Sequence, residues 1–202
     1  MSGMSELSSV SRARFSTPDR RMPVPQGKGF ERRYRLIREV IETVALTLLM
    51  FLIIRFAVQN FRVDGMSMEP TLHNGEFILV DKAAYLFHAP SRGDVIVFEY
   101  PGNPSIDYIK RIIAIPGDTI SVVGEKVTVD GVTLNEPYVN PADPGNPFPP
   151  IINRKVGPND YFVMGDDRTV SCDSRYWGTV NRALILGKVD LRIWPLNRIG
   201  FF

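Results

Sequence analysis

The sequence predicts a mainly β protein in which an N-terminal transmembrane helix precedes an antiparallel, coiled and barrel-like β-sheet domain. Two observations carry this prediction. One long apolar run lies near the N-terminus, and many short runs rich in valine and isoleucine follow it, separated by glycine and proline. We divide the chain into a disordered tail over residues 1–33, an anchoring helix over 34–61 and a β-rich domain over 62–202, with a smaller accessory β and loop region at 119–160.

The tail is basic and polar. Residues 1–39 hold nine arginine and lysine residues against four acidic ones, although the formal net charge of the whole chain is only +2. Serine, arginine, proline and glycine dominate up to residue 29 without apolar periodicity, which predicts disorder. Nucleic-acid binding by these arginines is the alternative. We favour a solvated, topology-setting tail and predict no nucleic-acid partner.

The apolar run predicts a retained membrane anchor. Its uncharged stretch from Thr43 to Ile54 has only twelve residues, but the segment from Val40 to Phe61 is long enough to cross a bilayer. No small-residue cleavage site follows the run, so it does not match a removable signal peptide. A core helix of a soluble protein is the alternative. The positive-inside rule places the tail in the cytoplasm and residues 62–202 across the membrane.

The rest of the chain is predicted to form short antiparallel strands. β-branched enrichment and turn residues indicate strands at 76–80, 94–100, 108–115, 120–123, 126–129, 132–134, 161–164 and within 184–194. Asp130-Gly131 is a dipeptide typical of a two-residue hairpin turn. Residues 137–158 contain seven prolines and are predicted to be mostly loop.

Cysteine and histidine counts limit the chemistry. Cys172 is the only cysteine, which excludes an intramolecular disulfide and a multi-cysteine metal site. His73 and His88 lie 15 residues apart, without the spacing of a zinc hydrolase, and we predict no metal and no cofactor. A Ser-His-Asp triad is not excluded by these counts, but nothing supports one.

One bend and one strand hold the candidate catalytic pair. Ser67 precedes Pro70, which disfavours a helix there, and Gly65 is expected to allow a close backbone approach. On the strand that begins at Ile106, a period of two places Lys110 on an otherwise apolar face, where burial lowers the pKa of a lysine. A turn serine and an ion-paired lysine are the ordinary alternatives. Without a positioned histidine, a Ser–Lys pair is the simplest hydrolytic arrangement.

A polar stretch over residues 165–178 is the third part of the candidate site. It is bounded by glycine and dense in alternating charge. A surface loop with local ion pairs is the ordinary interpretation. The functional one is a buried support, in which Ser171 orients Lys110 while Asp173 and Arg175 hold the loop.

Four sequence boxes stand in order behind the predicted anchor: Ser67 to Leu72, Arg92 to Phe98, Tyr108 to Asp118, and Gly165 to Gly178. With the anchor, they resemble the bacterial type I signal peptidases, membrane-bound serine proteases that remove signal peptides from exported proteins. The resemblance covers about residues 40–200.

This resemblance implies a role for each site residue. Ser67 would be the nucleophile and Lys110 the general base of an acyl-enzyme mechanism. One serine would orient the lysine and two ion pairs would support the loop, namely Ser171, Asp173 with Arg175, and Arg111 with Asp166. The family cleaves after small residues, at Ala-X-Ala type sites, and binds the peptide as an extended strand in a shallow apolar groove. Seven residues match the walls of that groove: Phe61, Val63, Met68, Leu72, Ile78, Tyr108 and Ile109.

Two positions depart from the family pattern. Some members carry a serine two residues before the nucleophile, whose hydroxyl completes the oxyanion hole, whereas this chain has Gly65. The N–H of Ser67, with a glycine N–H or a water, would then serve. Asp167 stands where asparagine is usual, and its role is open.

The resemblance also implies partners and a location. Signal peptides of exported preproteins and the lipid bilayer would be partners, and the protein-export machinery is a further candidate. The protein would cross the plasma membrane once, with a cytoplasmic N-terminus and an extracytoplasmic domain. Three alternatives stay open: a self-cleaving repressor with Ser–Lys chemistry, for which no helix-turn-helix is seen, an organellar inner-membrane peptidase, and a tethered, non-catalytic domain that binds extended peptides.

Overall fold

The structure is a computed structural model that describes residues 28–139 and 150–202. It begins with one long helix, α1 (Lys28–Ala57), and strand β1 follows directly at Val58. The sequence predicts this helix at 34–61, so it begins six residues earlier and ends four residues earlier than predicted. The predicted tail therefore loses its last six residues to the helix, and its residues 1–27 lie outside the described part of the chain.

Helix α1 is apolar and unpacked. Over Arg33–Ala57 its mean hydropathy reaches 2.2, and none of its most apolar window is buried. These 25 residues are about 37 Å long at 1.5 Å per residue, which exceeds the ~30 Å hydrocarbon core of a bilayer. Apolar side chains that are exposed along the whole of such a run need an apolar surrounding. Length and composition therefore make α1 a candidate membrane span.

Within the described residues, α1 is followed by twelve strands, one short α-helix and two 3₁₀ helices. In chain order the strands are β1 (Val58–Arg62), β2 (Phe77–Asp81), β3 (Val95–Tyr100), β4 (Asn103–Ala114), β5 (Thr119–Val123), β6 (Lys126–Val129), β7 (Val132–Thr133), β8 (Ile151–Lys155), β9 (Asp160–Met164), β10 (Val180–Asn181), β11 (Ile185–Trp194) and β12 (Gly200–Phe201). Helix α2 (Ser174–Trp177) lies between β9 and β10.

The strands form two antiparallel sheets. The larger has the order β1-β2-β11-β3-β4-β9-β10, with β12 paired to β11, and the smaller has the order β7-β6-β5-β8. This confirms the predicted mainly β, antiparallel fold class. In the described residues the larger sheet runs from an edge at β1 to an edge at β10, so it is open and not a closed barrel.

Four of the described strands are not predicted from the sequence, namely β1, β8, β10 and β12. Four of the five residues of β1 fall inside the predicted helix, although the composition changes after Ala57, where Gln59, Asn60 and Arg62 interrupt the apolar run. Its pairing with β2, in which Phe61 faces Ile78, is a long-range contact that local sequence does not reveal. β8 lies inside the proline-rich segment predicted as loop and pairs with β5.

The core has layers on both faces of the larger sheet. β3 alternates, with Val95 and Val97 in one buried cluster and Ile96 and Phe98 in the other. A third cluster joins the ends of β4 and β9 to the smaller sheet, with Phe162 at its centre and 0% exposed. β3 is buried on both faces, and Lys110 of the neighbouring β4, whose ladder partner is Ile96, is likewise withdrawn from water.

Candidate active site

Ser67 lies in the turn between β1 and β2, as the sequence predicts. The side chains of Met68 and Leu72 are 2% and 0% exposed and belong to the core beneath β2 and β3. The N–H of Leu72 donates to the carbonyl of Met68 at 2.8 Å, and the N–H of Glu69 donates to the carbonyl of Met66 at 3.0 Å. Two buried anchors and these hydrogen bonds fix the backbone that carries Ser67.

Gly65 is required for its conformation. It has φ +101°, a region that side chains rarely adopt, and nothing lies within 4 Å of where a Cβ would be. The prediction that another part of the backbone approaches closely at Gly65 is therefore wrong. Its N–H donates to Oδ1 of Asn74 at 3.0 Å, which closes the loop that leads into Ser67.

Lys110 is buried in the middle of the larger sheet. It is 4% exposed, it faces Ile96 of β3 across the ladder, and its Nζ lies 5.3 Å from the ring centroid of Tyr108. Tyr108 and Ile112 share its face and pack in the same apolar cluster, as the period of two predicts. The amine therefore ends in an apolar surrounding with little access to water.

The amine of Lys110 meets the hydroxyl of Ser67. Lys110 Nζ donates to Ser67 Oγ at 2.7 Å, so the structure brings the two predicted catalytic residues together across 43 positions of sequence. Burial lowers the pKa of Lys110 from 10.5 to about 8, and the nearby carboxylates of Asp173 and Asp166 oppose this shift. A lysine with this pKa is partly neutral near physiological pH.

The predicted hydrogen bond from Ser171 to Lys110 is not present. Ser171 is 1% exposed, and its Oγ has no hydrogen-bond partner. Instead it packs against Gly165, where an added Cβ would overlap both Ser171 Oγ and the carbonyl oxygen of Ser67. Ser171 thus lies behind the site as predicted, but it contributes packing to the loop and does not bond the lysine.

The loop over residues 165–173 is tied to the nucleophile turn by its backbone. The N–H of Asp167 donates to the carbonyl of Ser67 at 3.1 Å. The N–H of Gly165 donates to Oδ2 of Asp173 at 3.0 Å. Only glycine fits at position 165, since both the turn and the loop touch it. Gly165 lies inside a box that the sequence analysis identified, but its contact with Ser67 was missed.

Asp167 has a structural explanation. Its Oδ1 accepts hydrogen bonds from the N–H groups of Thr169 and Val170 at 3.1 and 3.4 Å. An asparagine Oδ1 accepts in the same way, so the turn needs the oxygen and not the added charge.

Both predicted ion pairs are present. Asp173 and Arg175 form a bidentate pair, with contacts of 2.8 and 2.9 Å and side chains 0% and 2% exposed. Arg111 and Asp166 form a second bidentate pair at 2.9 and 2.7 Å. Arg111 also donates to the carbonyl of Gly93 at 2.8 Å, which links the loop to the start of β3.

A cleft of about 450 Å³ opens over the pair. Ser67 and Lys110 both line it, together with five of the seven predicted groove residues, Phe61, Val63, Met68, Tyr108 and Ile109. The other two, Leu72 and Ile78, are wrong as groove residues. Both are 0% exposed and pack in the core beneath the turn.

The structure adds residues that the sequence did not indicate. Seven further residues line the cleft, Arg62, Asp64, Met66, Val97, Asp107, Val170 and Cys172. Arg168 and Glu136 form a third bidentate pair at 2.6 and 3.1 Å against the loop. The partners are 32 positions apart, and no local pattern reveals such a contact. Within residues 28–139 and 150–202, no group of three or more histidine, cysteine, aspartate or glutamate side chains could hold a metal ion.

The family to which the chain is similar defines its class of protein. Residues 36–194 match the family described as signal peptidase, peptidase S26, which marks the protein as a serine endopeptidase. The match covers most of the chain, so the chain belongs to this family. Together with its apolar N-terminal helix, this indicates a membrane-anchored protein.

Similar proteins span most of the chain. Signal peptidase I of Leptolyngbya laminosa is 38% identical over 172 residues, covering 81% of this chain and 83% of the relative. Signal peptidase I of Bacillus caldolyticus is 37% identical over 156 residues, covering 72% and 85%. The crystal structure of a signal peptidase I from Enterococcus faecalis V583 is 32% identical, with a TM-score of 0.44, over 50% of this chain and 97% of that one.

Replacing Gly165 with alanine should impair catalysis, because the added methyl group overlaps the Ser67 carbonyl oxygen and Ser171 and forces turn and loop apart. We expect peptidase activity to fall about 100-fold, the order of effect that a displacement near 1 Å produces. Gly124→Ala is the matched control, since it has φ +59° with nothing within 4 Å and imposes backbone strain far from the site. Wild-type activity in Gly165→Ala would show that close packing at this position is unnecessary.

Proposed function

We propose that the protein removes N-terminal signal peptides from exported preproteins, with Ser67 as the nucleophile and Lys110 as the general base. The observation that carries the proposal is the 2.7 Å contact between Lys110 Nζ and Ser67 Oγ, made by a lysine that is 4% exposed. A free lysine is protonated at neutral pH and a free serine hydroxyl is a weak nucleophile. Burial of Lys110 lowers its pKa, so that its amine can act as the base for the hydroxyl of Ser67.

The reaction is an acyl transfer. Neutral Lys110 accepts the proton of the Ser67 hydroxyl, and Oγ attacks the carbonyl carbon of the scissile bond. The protonated lysine then donates to the leaving amine, which leaves the signal peptide attached to Ser67 as an ester. Lys110, again neutral, takes a proton from water as the water oxygen attacks the ester carbonyl. The tetrahedral intermediate then expels Ser67 Oγ, which recovers its proton from Lys110 as the peptide acid leaves.

The oxyanion that forms on the carbonyl needs donors. The N–H of Ser67 points to no acceptor among the described residues and is the first candidate donor. Gly65 brings no hydroxyl to this position, so the second donor is a backbone N–H or a water. The fixed turn around Ser67 supports this role, because an oxyanion donor must be held in place before the reaction.

The cleft supports an extended peptide with small residues. β9 pairs with β4 only from Arg111 onward, so the edge of β4 beside Tyr108 and Ile109 has no strand neighbour in the described structure. A substrate strand added there would place alternate side chains on the same side. The residues one and three positions before the cut then both face the apolar walls, which favours Ala-X-Ala sites in a shallow cleft.

Membrane anchoring by helix α1 is consistent with the proposed cleavage of signal peptides. Helix α1 would anchor the protein in the plasma membrane as a single pass, with the basic N-terminus in the cytoplasm and residues 62–202 outside. Signal peptides remain near the bilayer after export, so an anchored enzyme meets them by diffusion in two dimensions. The lipid bilayer and the export machinery are the partners that this arrangement implies.

The first test is cleavage of a preprotein with an Ala-X-Ala site by purified full-length protein in detergent. Ser67→Ala and Lys110→Met should each abolish cleavage, while Ser105→Ala and Lys126→Ala, both on exposed positions, should keep it. A substrate with a large residue directly before the cut should resist the wild type. Full activity in Ser67→Ala or Lys110→Met would refute the pair, and no cleavage by folded wild type would favour a tethered peptide-binding domain.

Loss of folding is not the expected cause of inactivity in Lys110→Met. The fall of the Lys110 pKa from 10.5 to about 8 means that the folded state disfavours the charged lysine by about 3 kcal/mol below pH 8. Methionine removes this cost, so the variant should be at least as stable as wild type at pH 7 in thermal unfolding. The stability of wild type should itself rise between pH 8 and 10.5, because the unfolded chain binds the proton that the folded chain has lost.

Cleavage should depend on pH through Lys110. Below about pH 8 the lysine is protonated and cannot accept the serine proton, so kcat/KM should fall about tenfold for each pH unit. Above it the base is neutral and this limb should level off. A kcat/KM profile between pH 5 and 9.5 measures the limb, and an acidic limb far below pH 8 would point to a different base.

The proposed topology can be tested on the single cysteine. Cys172 is exposed and lies in the β-domain, so a membrane-impermeant maleimide should label it in intact protoplasts or spheroplasts of the expression host. Cys172→Ser should remain unlabelled and serves as the control. Labelling only after lysis would place the domain in the cytoplasm and reverse the proposed orientation.

A further inference from the structure

A segment of the smaller sheet reaches the loop of the candidate site. After β7, the N–H of Val139 donates to the carbonyl of Glu136 at 3.1 Å and turns the chain back. This turn presents the carboxylate of Glu136 to the guanidinium of Arg168, with contacts of 2.6 and 3.1 Å. The two side chains are 9% and 6% exposed, and Tyr138 Oη donates to Glu136 Oε1 at 2.8 Å. The pair is thus buried, bidentate and braced by a third group.

Arg168 connects Glu136 to the loop that lies behind the catalytic pair. Its Nε donates to the carbonyl of Gly165 at 3.0 Å, and its own carbonyl accepts from Arg175 Nη2 at 2.9 Å. Gly165 in turn packs against the carbonyl oxygen of Ser67. Two residues therefore separate Glu136 from the nucleophile turn, and each step is a direct contact.

A second contact reaches the lysine strand. The guanidinium of Arg111 lies 4.1 Å from the ring centroid of Tyr138 and holds Asp166 with its bidentate pair. Arg111 follows Lys110 directly in β4. The segment over residues 136–138 therefore contacts both sides of the site, the loop behind Ser67 and the strand that carries Lys110.

We propose that Glu136 is a positioning residue for signal-peptide cleavage, which sets the loop behind Ser67 and Lys110 through its ion pair with Arg168 and so makes the smaller sheet part of the catalytic apparatus. This inference rests on the proposed function. Neither Glu136 nor Tyr138 is among the residues that line the cleft, which separates the proposed role from direct contact with substrate. A buried bidentate pair contributes a defined geometry more than it contributes stability, and geometry is what the 2.7 Å contact of the catalytic pair requires.

The first measurement is steady-state kinetics of Glu136→Gln, which keeps the shape and removes the charge. A positioning role predicts that kcat falls about 10- to 100-fold while KM stays within about twofold, as for partners that orient reacting groups indirectly. Glu125→Gln is the control, since Glu125 is an exposed acid in the turn between β5 and β6 of the same sheet. A wild-type kcat in Glu136→Gln would overturn the proposal.

A second variant separates positioning from stability. Glu136→Leu combined with Arg168→Met replaces the ion pair by apolar groups, which buried pairs commonly tolerate without loss of stability. Thermal unfolding of the full chain in detergent shows whether each variant is folded. A folded double variant with a low kcat supports positioning, and a folded double variant with wild-type kcat overturns it, whatever the single variant does.

A third measurement, the pKa of Lys110, does not depend on catalytic activity. Titration of the Lys110 amine, followed by NMR of labelled lysine and assigned with Lys110→Met, should give a higher pKa in Glu136→Gln, because a displaced loop admits water to the amine. An unchanged Lys110 titration would contradict the proposal. Ser67→Ala is assayed in parallel, and cleavage by that variant would refute the catalytic pair while leaving the effect of Glu136 on Lys110 to be judged by the titration.

Discussion

The site depends on keeping one amine out of water. Lys110 faces Ile96 across the ladder with β3, and β3 is buried on both faces because a different apolar cluster covers each of them. Desolvation in this position lowers the pKa of Lys110 to about 8 even though Asp173 and Asp166 pull it the other way. The same burial that costs the folded state stability raises the neutral fraction of an amine that lies within reach of a hydroxyl. The open antiparallel sheet therefore sets the chemistry as well as the shape of the domain.

Around this amine the structure uses paired charges to hold backbone in place. Three bidentate carboxylate–guanidinium pairs surround the loop behind Ser67, formed by Asp173 with Arg175, Asp166 with Arg111, and Glu136 with Arg168. Each arginine also donates to a backbone carbonyl, and the carbonyl that Arg111 reaches lies outside the loop, at Gly93. A bidentate pair forms two parallel hydrogen bonds only in a narrow range of orientations, so these pairs fix the position of the loop. Ser171 then fills the remaining space by packing against Gly165, and its Oγ is left without a hydrogen bond.

The anchor and the domain are joined without a linker. Helix α1 ends at Ala57, whose carbonyl accepts a hydrogen bond from the N–H of Lys82 at the end of β2, and β1 begins one residue later. Ser67 lies only ten positions after Ala57. A signal peptidase acts on segments that reside in or near a bilayer, and this short connection keeps its candidate nucleophile within about 35 Å of the end of its own membrane helix even for a fully extended chain.

The sequence by itself determined the apolar helix, most of the strands and the bend at Ser67, because each depends on local composition or on a period of two or 3.6 residues. It also placed Lys110 on an apolar face, since alternation along one strand does not depend on what lies beside it. The ends of α1, strands β1 and β8, the burial of Leu72 and Ile78, and the pair of Glu136 with Arg168 were decided by the tertiary structure. These features follow from contacts between residues far apart in the chain, such as Phe61 with Ile78 and Thr119 with Lys155, for which no local pattern carries information. The prediction of a hydrogen bond from Ser171 to Lys110 was wrong for the same reason. The packing of the loop decides which groups lie next to the buried hydroxyl of Ser171, and the local sequence does not reveal that packing.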